Sequence, residues 1–229
     1  MKNIAKLLAG WVVALAIAWA AHRYLPHEHN RLQPLDLDDP IGIATYDKLT
    51  AVKHDSEACF ALMDRSGVQH RLVDQSRPGR NCGFYNALTL DPAGSSYDDE
   101  LSMTCALAAT LAVWERQSAR PLAERLLGSP IVRIETYGTF ACRPMRGSIS
   151  GRMSEHALAN AIDIWGFRLK DGRLISVKTH WDSEGPESKF LKRVHRDACR
   201  LFSVTLGPEF NAAHEDHFHL DLGSGDVCR

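Results

Sequence analysis

Ser154-Glu155-His156-Ala157-Leu158-Ala159-Asn160-Ala161-Ile162-Asp163, read with Asp216-His217-Phe218-His219-Leu220-Asp221, sets imidazoles and carboxylates among apolar residues in two segments more than fifty residues apart. Alternate side chains of an extended segment share a face. His217, His219 and Asp221 therefore point one way, while Phe218, Leu220 and Leu222 point into the core. Asp163 likewise opposes Ile162 and Ile164. Polar side chains on central strands are costly unless they are paired or bind something, and a metal ion would offset that cost. The expected ligands are His156, Asp163 and His219. Zinc takes nitrogen and oxygen ligands of this kind, and three protein ligands leave a fourth position open for water. Asp221 reads as a carboxylate that accepts the other N–H of a metal-bound histidine rather than as a ligand. His180, His195 and His214 are expected at the surface.

The elements around these segments alternate between short strands and helices. Residues 162–169 read as a strand, Asp171-Gly172 as a hairpin turn and residues 174–179 as the partner strand. Residues 131–137 and 217–222 are two more strands, and residues 188–202 form a helix rich in basic side chains. Upstream, residues 55–65 fit a short helix closed by Gly67, and strands are expected at 68–73 and 84–90 with a turn-rich stretch at 76–83. Asp98, Asp99 and Glu100 place negative charge before a helix at 101–117, too apolar to be exposed. A further helix at 121–127 begins on Pro121 and stops at Gly128. The fold class is α+β: a small central antiparallel sheet bearing the metal site, flanked by helices and linked by disulfides.

The 229 residues are 45% hydrophobic, with 27 basic and 28 acidic side chains. One domain is expected, and the charge balance supplies no polyanion-binding stripe, so nucleic acid is not an expected partner. Lys2 and Lys6 precede an uncharged apolar run from Leu7 to Ala21, so residues 1–25 read as a membrane anchor or a signal peptide. The Trp residues at 11 and 19 suit the anchor; Ala18-Trp19-Ala20 resembles a cleavage site. Residues 26–45, with Pro26, Pro34 and Pro40, read as a linker, and 46–229 as the folded domain. Export agrees with the even set Cys59, Cys82, Cys105, Cys142, Cys199 and Cys228, read as disulfides. The expected pairing is sequential: Cys59–Cys82, Cys105–Cys142 and Cys199–Cys228.

Ser-x-His-x6-Asp followed by His-x-His resembles the zinc peptidases of the lysostaphin, D-alanyl-D-alanine peptidase and hedgehog group. Ala141-Cys142-Arg143, Ser154-Glu155-His156, Asn160-Ala161-Ile162-Asp163, Leu206-Gly207-Pro208 and residues 214–222 resemble the extensin-like C-terminal domain family in particular. The resemblance implies a periplasmic peptidase of DD- or LD-type that cuts peptidoglycan peptides with a zinc-activated water. It matches His156, Asp163 and His219 to the metal ligands. His217 or Asp216 would be the general base, with strand alternation pointing Asp216 away from His217. Arg143 would hold a substrate oxygen and Ser154 would hydrogen-bond the substrate. The alternative function is a cell-wall peptide-binding module on the same fold, without turnover.

Overall fold

A helix, α1 (Lys2–Tyr24), begins the computed structural model, which describes residues 2–74, 81–91, 96–97, 99–145 and 151–229. Residues 76–80 of the expected turn-rich stretch, Asp98 and the Gly/Ser loop at 146–150 lie outside the described residues. Lys6–Tyr24 is long and apolar enough to cross a membrane, and Leu7, Trp11, Leu15 and Trp19 are all exposed on it. Its 19 residues reach about 28 Å, close to the ~30 Å of a bilayer's hydrocarbon.

Residues 26–44, expected as a tether, lie against the helices that follow. Leu35 and Leu37 are buried in the core, and Lys48 Nζ donates to His27 O at 2.6 Å. Apart from a 3-10 turn (His27–His29) the segment has no helix or strand, and its prolines leave the leucines between them free to pack.

Helices α2 (Thr45–His54) and α3 (Ser56–Arg65) are separated by Asp55, whose side chain accepts from Ala58 N and caps α3. Gly67, at φ 72°, ends α3 in the left-handed conformation expected of it. Strands β1 (His70–Leu72), β2 (Ala87–Leu90) and β3 (Ser102–Thr104) form a small antiparallel sheet in that order. The central helix α4 (Cys105–Trp114) therefore starts four residues later than the expected 101. Met103 is buried opposite Leu88 in the sheet, and the Thr104 side chain accepts from Leu107 N as the helix cap. Pairing and a good cap outweigh the acidic residues upstream.

A π-helical turn (Glu115–Ala119) joins α4 to α5 (Arg120–Leu127), which closes at Gly128 with φ 70°. Strand β4 (Ile131–Gly138) leads to β5 (Ala161–Leu169), the axis of the main sheet. One edge of β5 pairs with β4. The other pairs first with β8 (Phe218–Asp221) at residues 161–164 and then with β6 (Leu174–Ser176) at residues 166–168. Strand β6 is shorter than expected, because Val177 opens the helical turn α6 (Val177–His180) and His180 Nδ1 sits 3.1 Å from Ser176 N. Helix α7 (Pro186–Ala198) covers the sheet through Phe190, whose ring meets Phe167 edge-on at 5.1 Å. Strand β7 (Val204–Leu206) pairs antiparallel with β8 and parallel with β9 (Val227–Cys228).

Three disulfides link this α/β body: Cys59–Cys105, Cys82–Cys142 and Cys199–Cys228. Only the last matches the sequential pairing. The first two interleave because α3 packs on α4 and brings Cys59 to the start of that helix. Cys82 is held near Cys142 because Gly83 N bonds Ala157 O and Ala141 N bonds His156 O.

Candidate metal centre

His156 lies in a short 3-10 turn (Glu155–Leu158) between β4 and β5, and its place depends on the residues at both ends of that turn. The Ser154 hydroxyl accepts from His156 N at 3.4 Å and starts the turn. Ala159, at φ 52°, reverses the chain into β5. A left-handed alanine costs roughly 1–2 kcal/mol. The reversal is held because Ala159 N donates to His156 O and Thr104 N donates to Ala159 O.

Asp163 and His219 are placed by strand register, directly opposite each other on β5 and β8. His156 Nε2, Asp163 Oδ1 and His219 Nδ1 form a triangle. Its sides are 3.2 Å between the histidines, 3.2 Å from His156 to Asp163 and 2.8 Å from His219 to Asp163. A tetrahedral ion bonded at ~2.0–2.1 Å separates its ligand atoms by about 3.3 Å, so the triangle accepts such an ion by opening about 0.1–0.5 Å per side.

The far nitrogens fix the ring orientations. His156 Nδ1 is 3.2 Å from Thr139 O, which can only accept, so Nδ1 carries a proton there. His156 Nε2 then faces Asp163 Oδ1 at 3.2 Å, and a carboxylate oxygen can only accept. The pair therefore needs either a proton or a metal ion between its two atoms. His219 Nε2 is 3.0 Å from Asp221 Oδ2, and Asp221 Oδ1 accepts from Gly223 N at 2.7 Å. Both histidines thus have the outer oxygen partner typical of metal-bound imidazoles.

Charge follows the same contacts. Burial opposes the charged form of Asp163, but hydrogen bonds from His156 and His219 outweigh it and hold the carboxyl well below the usual range. Burial also works against protonating His219; its bonds to Asp163 and Asp221 prevail and push it up to about 9. These bonds favour the imidazolium form of His219 at neutral pH, so a metal ion binding there would have to displace a proton.

His217 flanks the triangle, its Nε2 3.7 Å from Asp163 Oδ1 and its Nδ1 2.8 Å from Asp216 Oδ1. Asp216 was expected to point away from His217. It bonds to it instead, because residue 216 lies in the turn before β8, where strand alternation does not apply. The bond to His217, more than any other contact, holds the Asp216 carboxyl below its ordinary range. Tyr137 O–H donates to Asp216 Oδ2 at 3.2 Å, and its ring meets His217 edge-on at 5.6 Å and stacks on Trp165 at 6.2 Å. Burial, then Asp216, raises the Tyr137 phenol.

The structure thus brings together His156, Asp163, His219, His217, Asp216 and Asp221. Arg143 is exposed, beyond the end of β4, and its side chain has no hydrogen bond or ion pair among the described residues. Ser154 is largely buried as the cap of the His156 turn. His195 is buried against Trp181 and Phe218 rather than at the surface. His214 packs its ring on His217 and His219 at 5.2 and 5.9 Å. Thr139, Tyr137 and Trp165 had no signal in the sequence: a backbone carbonyl carries no residue identity, and the two rings meet the site only through the β4–β5 pairing.

A family model described as Extensin-like protein C-terminus matches residues 57–229, most of the chain and all of this cluster. No curated protein and no solved structure matches it.

Proposed function

The chain belongs to the extensin-like C-terminus family, and from that premise together with the His–Asp–His triangle we propose a zinc-dependent peptidase. Its substrates are peptide bonds in peptidoglycan stem peptides or cross-links, and it works in the periplasm with α1 as its anchor. The observation that supports this most is the mutual geometry of His156 Nε2, Asp163 Oδ1 and His219 Nδ1, with Thr139 O and Asp221 behind the two rings. The peptide substrate is inferred from the sequence resemblance to the lysostaphin-type zinc peptidases.

When bound, a zinc ion supplies Lewis acidity and lowers the pKa of a water at its open position toward neutrality. The chain's own residues handle the protons. His217 takes a proton at Nε2, on the ring edge nearest Asp163, and later returns it to the leaving amine. Asp216 holds the Nδ1–H of that ring, fixing the tautomer in which Nε2 is free to accept, and offsets the charge of the imidazolium. Tyr137 keeps Asp216 in place through its second oxygen. Arg143, exposed and unpaired among the described residues, is available for a substrate carboxylate or carbonyl oxygen.

The test is turnover of purified muropeptides by the zinc-supplemented protein, followed by mass spectrometry for fragments that gain one water. Cleavage that disappears in His219→Ala supports the proposal. Intact muropeptides with a protein that holds zinc and is folded would remove the peptidase reading.

A further inference from the structure

We propose that the cavity of about 640 Å³ between α2, α3, β3 and the turn after His156 is a binding site for a neutral saccharide unit. It is separate from the His–Asp–His cluster, none of whose three side chains lines it. Its volume is in the range of sites that enclose small ligands.

The lining chemistry selects the ligand. Asn81 and Asn86 contribute amides and Ser56 a hydroxyl; Asn160 and Thr104 also line the cavity but are bonded to each other and to Glu155 and Leu107 N, and no carboxylate lines it among the described residues. Among the described residues the one cationic group there is Lys53, whose Nζ donates to Leu222 O at 2.5 Å. A carboxylate or phosphate ligand would meet a single ammonium there, the rest of the polar lining among the described residues being neutral amides and hydroxyls. Amides and hydroxyls both donate and accept, as sugar hydroxyls do, and the side chains of Asn81 and Asn86 have no partner among the described residues. Tyr85, Val52, Met153 and Leu158 supply an apolar wall for the C–H face of a pyranose ring.

A peptide is the less suitable occupant. One common mode of peptide binding adds a strand to an open sheet edge; β3, the edge strand at this wall, has Thr104 N taken by Ala159 O and Ser102 O taken by the Thr139 hydroxyl. The cavity also adjoins the cluster through the chain: Leu158 and Asn160 line it and belong to the segment that positions His156, and Thr104 Oγ1 donates to Asn160 Oδ1 at 3.1 Å.

The experiment is calorimetric titration of the full chain in lipid nanodiscs with N,N′-diacetylchitobiose, cellobiose, maltose and, for comparison, tri-alanine. At least one disaccharide is expected to bind, with equal affinity in zinc and in chelator, so the result stands apart from the peptidase reading. Asn81→Ala combined with Asn86→Gly, which keeps the left-handed backbone at position 86 (φ 48°), should weaken binding at least tenfold with an unchanged melting temperature. Absence of binding by all three disaccharides would overturn the proposal. So would unaltered binding in the double variant, or tri-alanine displacing the sugar.

Discussion

Asp221→Asn is the most informative single change, because it keeps the shape of a buried side chain and alters only what His219 Nε2 can donate to. Asp221 uses one oxygen for His219 and the other for Gly223 N. Asparagine has one oxygen, so it satisfies Gly223 or His219 but not both. Loss of such an outer partner typically costs 10–100-fold in metal affinity, about 1.4–2.7 kcal/mol. The pH dependence makes the test sharper. In the wild type a proton on His219, held up to about 9, competes with the metal at pH 7. Removing Asp221 weakens the proton's hold as well as the metal's. The measured loss should therefore be smaller at pH 7 than at pH 9.5, where His219 has lost most of its proton in both proteins. The assay is competition for zinc with a chelating dye at both pH values. A variant that binds zinc within threefold of wild type at pH 9.5 would refute the reasoning about His219 Nε2.

His217→Ala should retain zinc but lose 10²–10⁴-fold in kcat, the usual contribution of a positioned base, whereas Asp216→Asn should lose less and shift the pH profile of kcat/KM; loss of zinc from His217→Ala would make it a ligand instead. Reducing the disulfides should lower the melting temperature sharply, since the chain-entropy estimate for loops of 46 and 60 residues is about 4 kcal/mol each, and an unchanged melting curve in reductant would contradict this. In the metal-free protein the raised pKa of His219 means its contribution is fully present below its unfolded value of 6.5 and is lost as pH rises through about 9. The urea midpoint without zinc should therefore fall between pH 6 and 9.5, and Asp163→Asn should flatten that slope; a midpoint that rises would contradict it. Ala159→Gly should stabilise the fold by about 0.5–1 kcal/mol by relieving a left-handed alanine, checked by urea unfolding.

What the sequence could reveal divides along physical lines. Period and punctuation are local, so the α3 helix, the Gly128 stop, the β5 strand and the Asp171-Gly172 turn could be read directly. The pairing of Asp163 with His219 was legible because strand alternation puts polar groups on one face, whereas His156, in a 3-10 turn, was legible only through its spacing from Asp163. Alternation failed for Asp216, which lies in the turn two residues before β8. Disulfide pairing depends on which helices touch, and the interleaving of Cys59–Cys105 with Cys82–Cys142 has no local cause. The start of α4 and the end of β6 were settled by competing pairings, in which Met103 joins a sheet and Val177 leaves one. The burial of Leu35 and Leu37 was hidden among prolines that mark irregular backbone without marking exposure.

Metal content tests the central claim most directly. The soluble part, residues 26–229, purified without chelator or histidine tag and analysed by elemental mass spectrometry, should carry about one zinc per chain, lost in His156→Ala. Protein that stays metal-free after zinc is offered to it in the folded state would contradict the account.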